Sequence, residues 1–165
     1  MKEVEIPVEI CREGVELPKY QNLWDAGMDV CAAENIRIRP GETVVVPTGL
    51  KFAIPEGYEI QVRPRSGITL RTPLRVSNSP GTIDSGYRNE LGIILTNTSE
   101  LSSAASDECF TLTASGNQMG CYQIAKGDRI AQLVLQEVPR MKFKIVESVA
   151  EIGQNRGGGF GSTGV

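Results

Sequence analysis

The sequence predicts an all-β domain of the sandwich, barrel or jelly-roll kind. Three observations support this prediction: apolar residues recur mostly at every second position, the apolar runs are short, and turn signals separate them. The turn signals are RPGE at 39–42, IPEGY at 54–58, NSPG at 78–81 and KGD at 126–128. Since the chain has 165 residues, it is long enough to bury the core of one such domain.

Two kinds of apolar pattern locate the strands. Alternating residues predict strands at 4–10, 36–38 and 58–62, and Pro7 favours a sheet edge for the first of them. More continuous apolar runs predict buried strands at 43–46, 91–95 and 133–138. The stretch SGITLR, at 66–71, is one of the few that favour a short helix.

The remaining segments divide the chain into a β domain and an arm. We expect the domain to span residues 1–152. Residues 153–165 are expected to form a flexible glycine-rich arm, because hydrophobicity falls sharply from Glu151 onward. The small, polar residues at 99–108 predict a loop between strands.

The charge and hydropathy of the chain disfavour some classes of partner. The 17 Lys and Arg residues against 20 Asp and Glu residues give a net charge of −3, which disfavours a general nucleic-acid-binding surface. No apolar run has the length of a membrane span, and the charged start MKEVEIPVEI does not resemble a signal peptide. We therefore expect a cytoplasmic protein without nucleic-acid or membrane partners.

Cysteine and histidine usage narrows the chemistry. Cys11, Cys31, Cys109 and Cys121 form no C-x-x-C pair, and the chain has no histidine, so the usual zinc sites lack ligands. We expect reduced, partly buried thiols. Acid–base chemistry must come from a carboxylate, Lys, Tyr or Cys, and triads that use histidine are excluded.

The glycine-rich tail, GGGFGSTG at 157–164, allows two interpretations. It formally matches the dinucleotide pattern G-x-G-x-x-G, but only Val165 follows, so the match is false. Its bare N–H groups suit phosphate oxygens, and Phe160 suits stacking on a planar ring. The tail is either a disordered end or a segment that closes over a ligand.

Two internal stretches carry residues suited to phosphate and water chemistry. In RPRSGI, at 63–68, a guanidinium, a hydroxyl and a flexible N–H follow one another, which suits a phosphate or is an ordinary turn. In residues 78–92, Asp84 lies at the mouth of a predicted hairpin and Tyr87 follows it. This carboxylate either activates a water beside a ring that holds a base, or is an ordinary turn residue.

Asp29 and Gln132 lie in two further stretches that, taken alone, are strands with polar ends. Together with the stretches above they form an ordered series along nearly the whole chain: AGMD at 26–29, RSG at 65–67, GTIDSGYR at 81–88, GDRIAQ at 127–132, and Arg156 with GFGSTG at 159–164. This series resembles the five ordered motifs of the trimeric deoxyuridine triphosphatases (dUTPases).

The resemblance implies a fold and a reaction. The fold would be a jelly-roll-like, distorted β-barrel or sandwich, assembled as a homotrimer with active sites at the subunit interfaces. The reaction would be Mg²⁺-dependent hydrolysis of dUTP to dUMP and pyrophosphate, which keeps uracil out of DNA and supplies dUMP for dTTP synthesis.

The resemblance also implies which residues act on water, metal and phosphate. Asp84 would orient and deprotonate the attacking water, in agreement with the absence of histidine. Asp29 would hold waters of the Mg²⁺ shell. The phosphates would be bound by Arg65, Ser66, Gly67 and Gln132.

Base and sugar recognition is implied at the central motif and the tail. Uracil would be read by Asn78 and by the backbone of Gly81, Thr82, Ile83 and Asp84, and Tyr87 would pack on the deoxyribose. Phe160 would close over the uracil, with Gly161 and Ser162 beside it. Arg156 would meet the γ-phosphate.

The sequence departs from the family pattern at three places. Asn89 stands where the family usually has glycine, and asparagine tolerates a positive φ better than most residues. The spacing from Arg156 to Phe160 is one residue shorter than the commonest pattern, so either Arg156 or Asn155 fills the arginine position. Residues 99–119 form a longer segment than usual, an excursion that could contact a protein partner.

Two rival functions remain open at this point. A dCTP deaminase has a related architecture, although GTIDSGYR is more similar to the hydrolase motif. A binding or regulatory protein on the same scaffold would use the 99–119 excursion, with nucleotide as the switch.

Overall fold

The protein is a mostly antiparallel β fold. The structure is a computed structural model, and it describes residues 2–102, 108–113 and 116–158. Across these ranges, no helix reaches the length and apolar character that a membrane crossing requires. The described strands and helix are β1 (Val8–Ile10), β2 (Met28–Cys31), β3 (Ile36–Ile38), β4 (Thr43–Pro47), β5 (Leu50–Phe52), β6 (Tyr58–Arg63), α1 (Ser66–Arg71), β7 (Leu74–Val76), β8 (Gly81–Ile83), β9 (Gly92–Asn97), β10 (Cys109–Thr111), β11 (Cys121–Ile124) and β12 (Arg129–Glu137).

The described strands form four sheets. The largest has the order β2–β12–β6–β8 and is antiparallel throughout. A second sheet has the order β4–β9–β7, a third has the order β10–β11–β3, and β1 pairs with β5. The pair β10–β11 is parallel, unlike the other described pairs.

One apolar cluster joins these sheets. Val62 and Leu133 of the largest sheet, Ile93 and Leu95 of β9, and Tyr122 of β11 are buried members of it. Every second side chain of β9 is buried, as a strand with one face on the core requires. The predicted all-β, jelly-roll-like fold is confirmed.

The predicted strands and the predicted helix all occur; α1 and β3 have the predicted ends, and the other strands have shifted ends. β1 begins at Val8 rather than at residue 4, β9 extends to Asn97, and β12 begins at Arg129. Among the described strands β1 pairs with β5 alone, so it is the sheet edge that Pro7 indicates. Five strands escaped prediction, β5, β7, β8, β10 and β11, because three or four residues seldom show a clear periodicity. The strand β2 lies in the stretch around Asp29 that, taken alone, is a strand with polar ends.

The hairpin predicted around Asp84 is wrong. β8, which ends at Ile83, pairs with β6, whereas β9 pairs with β4 and β7 in another sheet. A turn does form after β8, where the Tyr87 N–H donates to the Asp84 carbonyl at 3.0 Å. Local sequence gives the turn but not the partner of each strand, because that partner is set by packing against distant residues.

The expectation of reduced thiols is wrong for two of the four cysteines. Cys109 and Cys121 form a disulfide, while Cys11 and Cys31 are free. The parallel register of β10 and β11 sets Cys109 opposite Cys121, with their Cα atoms 4.5 Å apart. The Phe110 and Tyr122 rings next to them lie 5.7 Å apart. The predicted loop at 99–108 therefore leads into a strand that is tied to the body of the fold; residues 103–107 lie outside the described residues.

Residues 138–158 contain neither strand nor helix, and their side chains are exposed. Three apolar side chains in this segment, Met141, Phe143 and Ile145, are 84%, 85% and 98% exposed. A series of exposed apolar residues marks a contact surface. The boundary that we predict at 152/153 stays a prediction, although β12 ends at Glu137.

Asn97 is a buried polar side chain at the end of β9 that joins three segments. Its Nδ2 donates to the carbonyls of Ile38 (3.0 Å) and Gly120 (2.8 Å), and its Oδ1 accepts from the Ser99 N–H (3.0 Å). Every bond that this amide makes therefore satisfies a backbone group near the core, which makes the residue part of the frame.

We expect Asn97→Ala to lower the free energy of unfolding by about 2–4 kcal/mol, because it removes the three bonds that the buried amide makes to the Ile38 and Gly120 carbonyls and the Ser99 N–H. Thr43→Val, which removes only an exposed hydroxyl bond to Thr96, is the control and should change it by less than about 0.5 kcal/mol. Urea unfolding followed by circular dichroism, at one protein concentration, measures both. Equal losses in the two variants would contradict the structural role of Asn97.

Candidate functional site

Three neighbouring strands bring polar side chains into one row. The register of β12 sets Gln132 opposite Asp29 of β2 on one side and opposite Arg63 of β6 on the other. Directly opposed residues of antiparallel strands point to the same face of the sheet. Asp29 and Gln132, which lie far apart in the sequence, are therefore adjacent, and Arg65 follows two residues after Arg63.

Asp29 lies between two guanidinium groups. Its Oδ1 accepts from Arg65 Nε at 2.7 Å, and its Oδ2 accepts from Arg129 Nη1 at 3.3 Å. Arg65 Nη1 also donates to the Arg129 carbonyl at 3.2 Å. The Asp29 and Arg65 side chains are only 21% and 23% exposed, so this pair is less screened by water than a surface pair. We call Asp29, Arg65, Arg129 and Gln132 the arginine cluster.

Gln132 links β12 to the turn that carries Arg65. Its Nε2 donates to the Pro64 carbonyl at 2.8 Å. Its Oε1 packs against Gly27, where a Cβ atom would lie only 2.8 Å away. Gly27 therefore leaves the space that Gln132 needs in order to reach Pro64.

The backbone after Arg65 begins the helix α1. Arg65 is the residue before the first helical turn, and Ser66 and Gly67 are its first two residues. The N–H groups of a first helical turn have no partner within the helix, so they suit an anion. A Cβ atom on Gly67 would meet no heavy atom within 4 Å, which leaves its backbone open to a ligand.

The central motif presents its functional groups on the surface. Asp84 is exposed, and Tyr87 is 38% exposed. The Tyr87 hydroxyl donates to the Glu90 carbonyl at 2.9 Å. Asn78 lies beside Gly81, where a Cβ atom would approach Asn78 Nδ2 to 3.1 Å. The residues predicted to read a base thus lie together at the start of β8.

Asp84 and the arginine cluster lie at different ends of β6. Since β8 runs antiparallel to β6, Ile83 lies opposite Ile60, while Arg65 follows the other end of β6. The step from Ile60 to Arg65 is five residues, or roughly 16 Å at about 3.3 Å per residue. A water-activating carboxylate and a phosphate-binding arginine must both lie within a few ångströms of one phosphate. Within one copy of the chain, Asp84 and Arg65 are therefore separated along β6.

Cys31 is the thiol nearest to the arginine cluster in sequence, two residues after Asp29 on β2. Burial raises the pKa of the Cys31 thiol above its ordinary value, and the nearby Arg129 opposes this shift only in part. Because the thiolate is the nucleophilic form, the site does not favour covalent chemistry at Cys31.

The predicted tail residues Phe160, Gly161 and Ser162 lie outside the described residues. Arg156 is described and exposed. Next to it, Asn155 Nδ2 donates to the Ala150 carbonyl at 3.3 Å, and Asn155 Oδ1 accepts from the Gly157 N–H at 2.9 Å. The Asn155 side chain is thus engaged locally, which favours Arg156 as the residue available for a ligand.

The sequence of the chain matches the family model for dUTPase over residues 13–103. The chain belongs to the dUTPase family. A deoxyuridine 5'-triphosphate nucleotidohydrolase of Fusobacterium nucleatum is 45% identical over 168 residues, with 99% of each chain covered. That of an Anaeromyxobacter species is 45% identical over 150 residues, which cover 91% of this chain and 88% of the relative.

Solved structures of dUTPases have the same fold. A variant of the Staphylococcus bacteriophage 80alpha dUTPase with dUpNHpp superimposes with a TM-score of 0.85 at 30% identity, covering 98% of this chain and 99% of that one. A variant of the dUTPase from phage phi11 of S. aureus, described for its coordination of a structural Mg(II) ion, has a TM-score of 0.79 at 30% identity and covers 89% of this chain and 99% of that one.

The sequence-based prediction did not include two residues that contact the site. Arg129 holds the second oxygen of Asp29, and its position inside GDRIAQ was the signal that could have found it. Glu90 contacts the hydroxyl of Tyr87 through its backbone, and no sequence signal distinguishes it from a surface carboxylate. Asn89 has no left-handed φ, so the tolerance of asparagine for that region is not needed at this turn.

A matched pair of glycine variants tests this geometry. Gly27→Ala should displace the end of the Gln132 side chain and break its bond to the Pro64 carbonyl, which lowers the free energy of unfolding by about 1 kcal/mol. Gly67→Ala should leave stability unchanged or slightly raised but weaken binding of dUpNHpp about tenfold, because its Cβ occupies the open side of the backbone. Thermal unfolding and calorimetric titration separate the two effects. Unchanged affinity in Gly67→Ala would remove Gly67 from the ligand contact.

Proposed function

We propose that the chain is a dUTP diphosphatase that hydrolyses dUTP to dUMP and pyrophosphate at sites shared between copies of the chain. The observation that carries the proposal is the arginine cluster, in which Asp29 holds Arg65 beside Gln132 and the open backbone of Gly67. A cation cluster next to free backbone N–H groups suits a polyphosphate. Membership of the dUTPase family supports dUTP as substrate, in preference to deamination of dCTP.

The protein would bind the phosphates of the nucleotide with one group of residues and its base and sugar with another. Arg65, Ser66, Gly67 and Gln132 bind the phosphates. The backbone of Gly81 to Asp84 and the Asn78 amide bind uracil, and the Tyr87 ring packs against the deoxyribose where a 2′-hydroxyl would clash. Since phosphate contacts are common to all nucleotides, selectivity arises at the base and sugar.

Hydrolysis requires one activated water. Asp84 accepts a proton from this water while the water oxygen bonds to the α-phosphorus. The bond from the α-phosphorus to the bridging oxygen then breaks, and pyrophosphate leaves. Arg156 meets the γ-phosphate, and Phe160, Gly161 and Ser162 close over the bound nucleotide and exclude other water.

Mg²⁺ fits this site as a partner of the substrate. Within the described residues, no group of three or more His, Cys, Asp or Glu side chains could hold a metal ion by itself. Mg²⁺ is commonly bound through one or two carboxylates, substrate phosphates and several waters. Asp29 would be that carboxylate and would hold waters of the Mg²⁺ shell, since each of its oxygens keeps a second lone pair besides its arginine bond. When bound, the ion would neutralise charge on the triphosphate.

A homotrimer would complete the site. The roughly 16 Å of chain from Ile60, which lies opposite Ile83, to Arg65 supports a site in which one copy binds the phosphates and another supplies Asp84 and Tyr87. The exposed apolar side chains of Met141, Phe143 and Ile145, which precede the arm, support an intersubunit contact for the segment after β12. The cytoplasmic location stays a prediction.

The 99–119 excursion is a candidate contact for a protein partner. Leu101 and Met119, near its two ends, are 75% and 52% exposed. Exposed apolar side chains of this kind suit a partner surface, and this second role stays a prediction beside catalysis.

Pyrophosphate release measured with dUTP, dCTP, dTTP and UTP tests the activity. We expect strong preference for dUTP. Asp84→Asn should keep nucleotide binding and lower kcat by roughly three orders of magnitude or more, because it removes the base. Wild-type-like turnover in this variant would remove Asp84 from the reaction, and equal rates with dCTP or UTP would refute the substrate.

Truncation after Gly153 tests the arm separately from the assembly. The shortened chain should remain a folded trimer in sedimentation experiments, yet lose nearly all activity, because the groups that close the site are gone. Full turnover in the truncated trimer would show that the tail has no part in catalysis.

A further inference from the structure

The segment between β8 and β9 holds Tyr87 at two points. The Tyr87 N–H donates to the Asp84 carbonyl at 3.0 Å, and the Tyr87 hydroxyl donates to the Glu90 carbonyl at 2.9 Å. The ring is 38% exposed, so packing alone does not fix it. The direction of the ring depends on where the Glu90 backbone lies.

The Glu90 backbone is held by the Glu90 side chain. Its Oε1 accepts from Arg12 Nε at 2.6 Å and from the Gly49 N–H at 2.8 Å, and its Oε2 accepts from Arg12 Nη2 at 3.0 Å. A two-point bond between guanidinium and carboxylate fixes orientation as well as distance. The Arg12 guanidinium, together with the Gly49 N–H, holds the pKa of the Glu90 carboxyl below its ordinary value, so Glu90 is charged at neutral pH.

The partners of Glu90 are themselves anchored in the frame. Arg12 Nη1 donates to Glu34 Oε2 at 2.8 Å, and Gly49 lies between β4 and β5. The neighbouring Leu91 is buried, and its N–H donates to the Leu50 carbonyl at 2.8 Å. Glu90 therefore connects the exposed Tyr87 to the body of the fold.

We propose that Glu90 is a positioning residue that sets the discrimination between deoxyribose and ribose by fixing the Tyr87 ring. This inference rests on the proposed function, in which Tyr87 packs against the sugar. An apolar surface rejects an added hydroxyl only modestly, and less still where the surface can move aside. The Arg12–Glu90 pair prevents that movement, since the ring hydroxyl stays bonded to a carbonyl that cannot shift.

The experiment compares kcat/KM for dUTP and for UTP in matched variants. Glu90→Gln keeps the shape of the side chain but removes the charge that Arg12 bonds, and should lower the ratio of dUTP to UTP about tenfold, mainly through better use of UTP. Arg12→Gln breaks the same pair from the other side and should shift the ratio in the same direction. Arg12→Gln also tests the inference if the Glu90→Gln variant does not fold.

Glu9→Gln is the control. Glu9 forms an ion pair with Lys51 at 2.8 Å between β1 and β5. Lys51 lies two residues after Gly49 and its charge acts on Glu90 through space, but neither residue has a bond to residues 84–90 among the described contacts. This variant should keep the wild-type ratio.

The double variant Tyr87→Phe/Glu90→Gln tests the route of the effect. Tyr87→Phe removes the hydroxyl that contacts Glu90, so adding Glu90→Gln to it should change the ratio by less than twofold. A merely structural role of Glu90 would give additive effects in this background and would overturn the inference.

Other outcomes separate this inference from the proposed function. A wild-type chain without preference for dUTP refutes the proposed function. A selective wild type whose ratio changes less than twofold in Glu90→Gln and Arg12→Gln overturns the inference alone, as does an equal shift in Glu9→Gln.

Discussion

Hydrogen bonding of β12 to β2 on one side and to β6 on the other is the constraint on which the site depends. This ladder fixes Gln132 between Asp29 and Arg63, and it also aligns the buried Leu133 with Val62. Side chains alternate along a strand, so a shift of β12 by one residue would turn Gln132 toward the core and Leu133 toward the polar face. The same pairing therefore holds the core together and assembles the polar row.

The arginine cluster shows how local charge differs from total charge. The chain has a net charge of −3, yet Arg65 and Arg129 both point at the single carboxylate of Asp29. The excess positive charge at this place suits an anionic ligand, and Asp29 keeps the two cations in position. Composition describes solubility and long-range attraction, whereas the register of three strands creates the site.

Much of the fold could be predicted from the sequence, because the longer strands β6, β9 and β12 carry clear apolar patterns. The order of five short motifs selected Asp29, Arg65, Gln132 and Asp84 as candidates, and Arg129 stood within one of these motifs. The partner of β8, the pairing of Cys109 with Cys121 and the bond between Glu90 and Arg12 depend on residues far apart in the chain. Such contacts leave no local periodicity, so only the folded chain reveals them.

The disulfide between Cys109 and Cys121 has a consequence for how the chain tolerates change in length. It brings the ends of the intervening segment to a Cα separation of 4.5 Å, with β11 continuing into the body of the fold. The entropy cost of such a closed loop grows slowly, by about 0.6 kcal/mol for each doubling of its length. The stretch between Leu112, which packs against the core, and Gln118, whose carbonyl accepts from the Tyr122 hydroxyl, is thus a position where sequence can be gained or lost while the strands on either side keep their register.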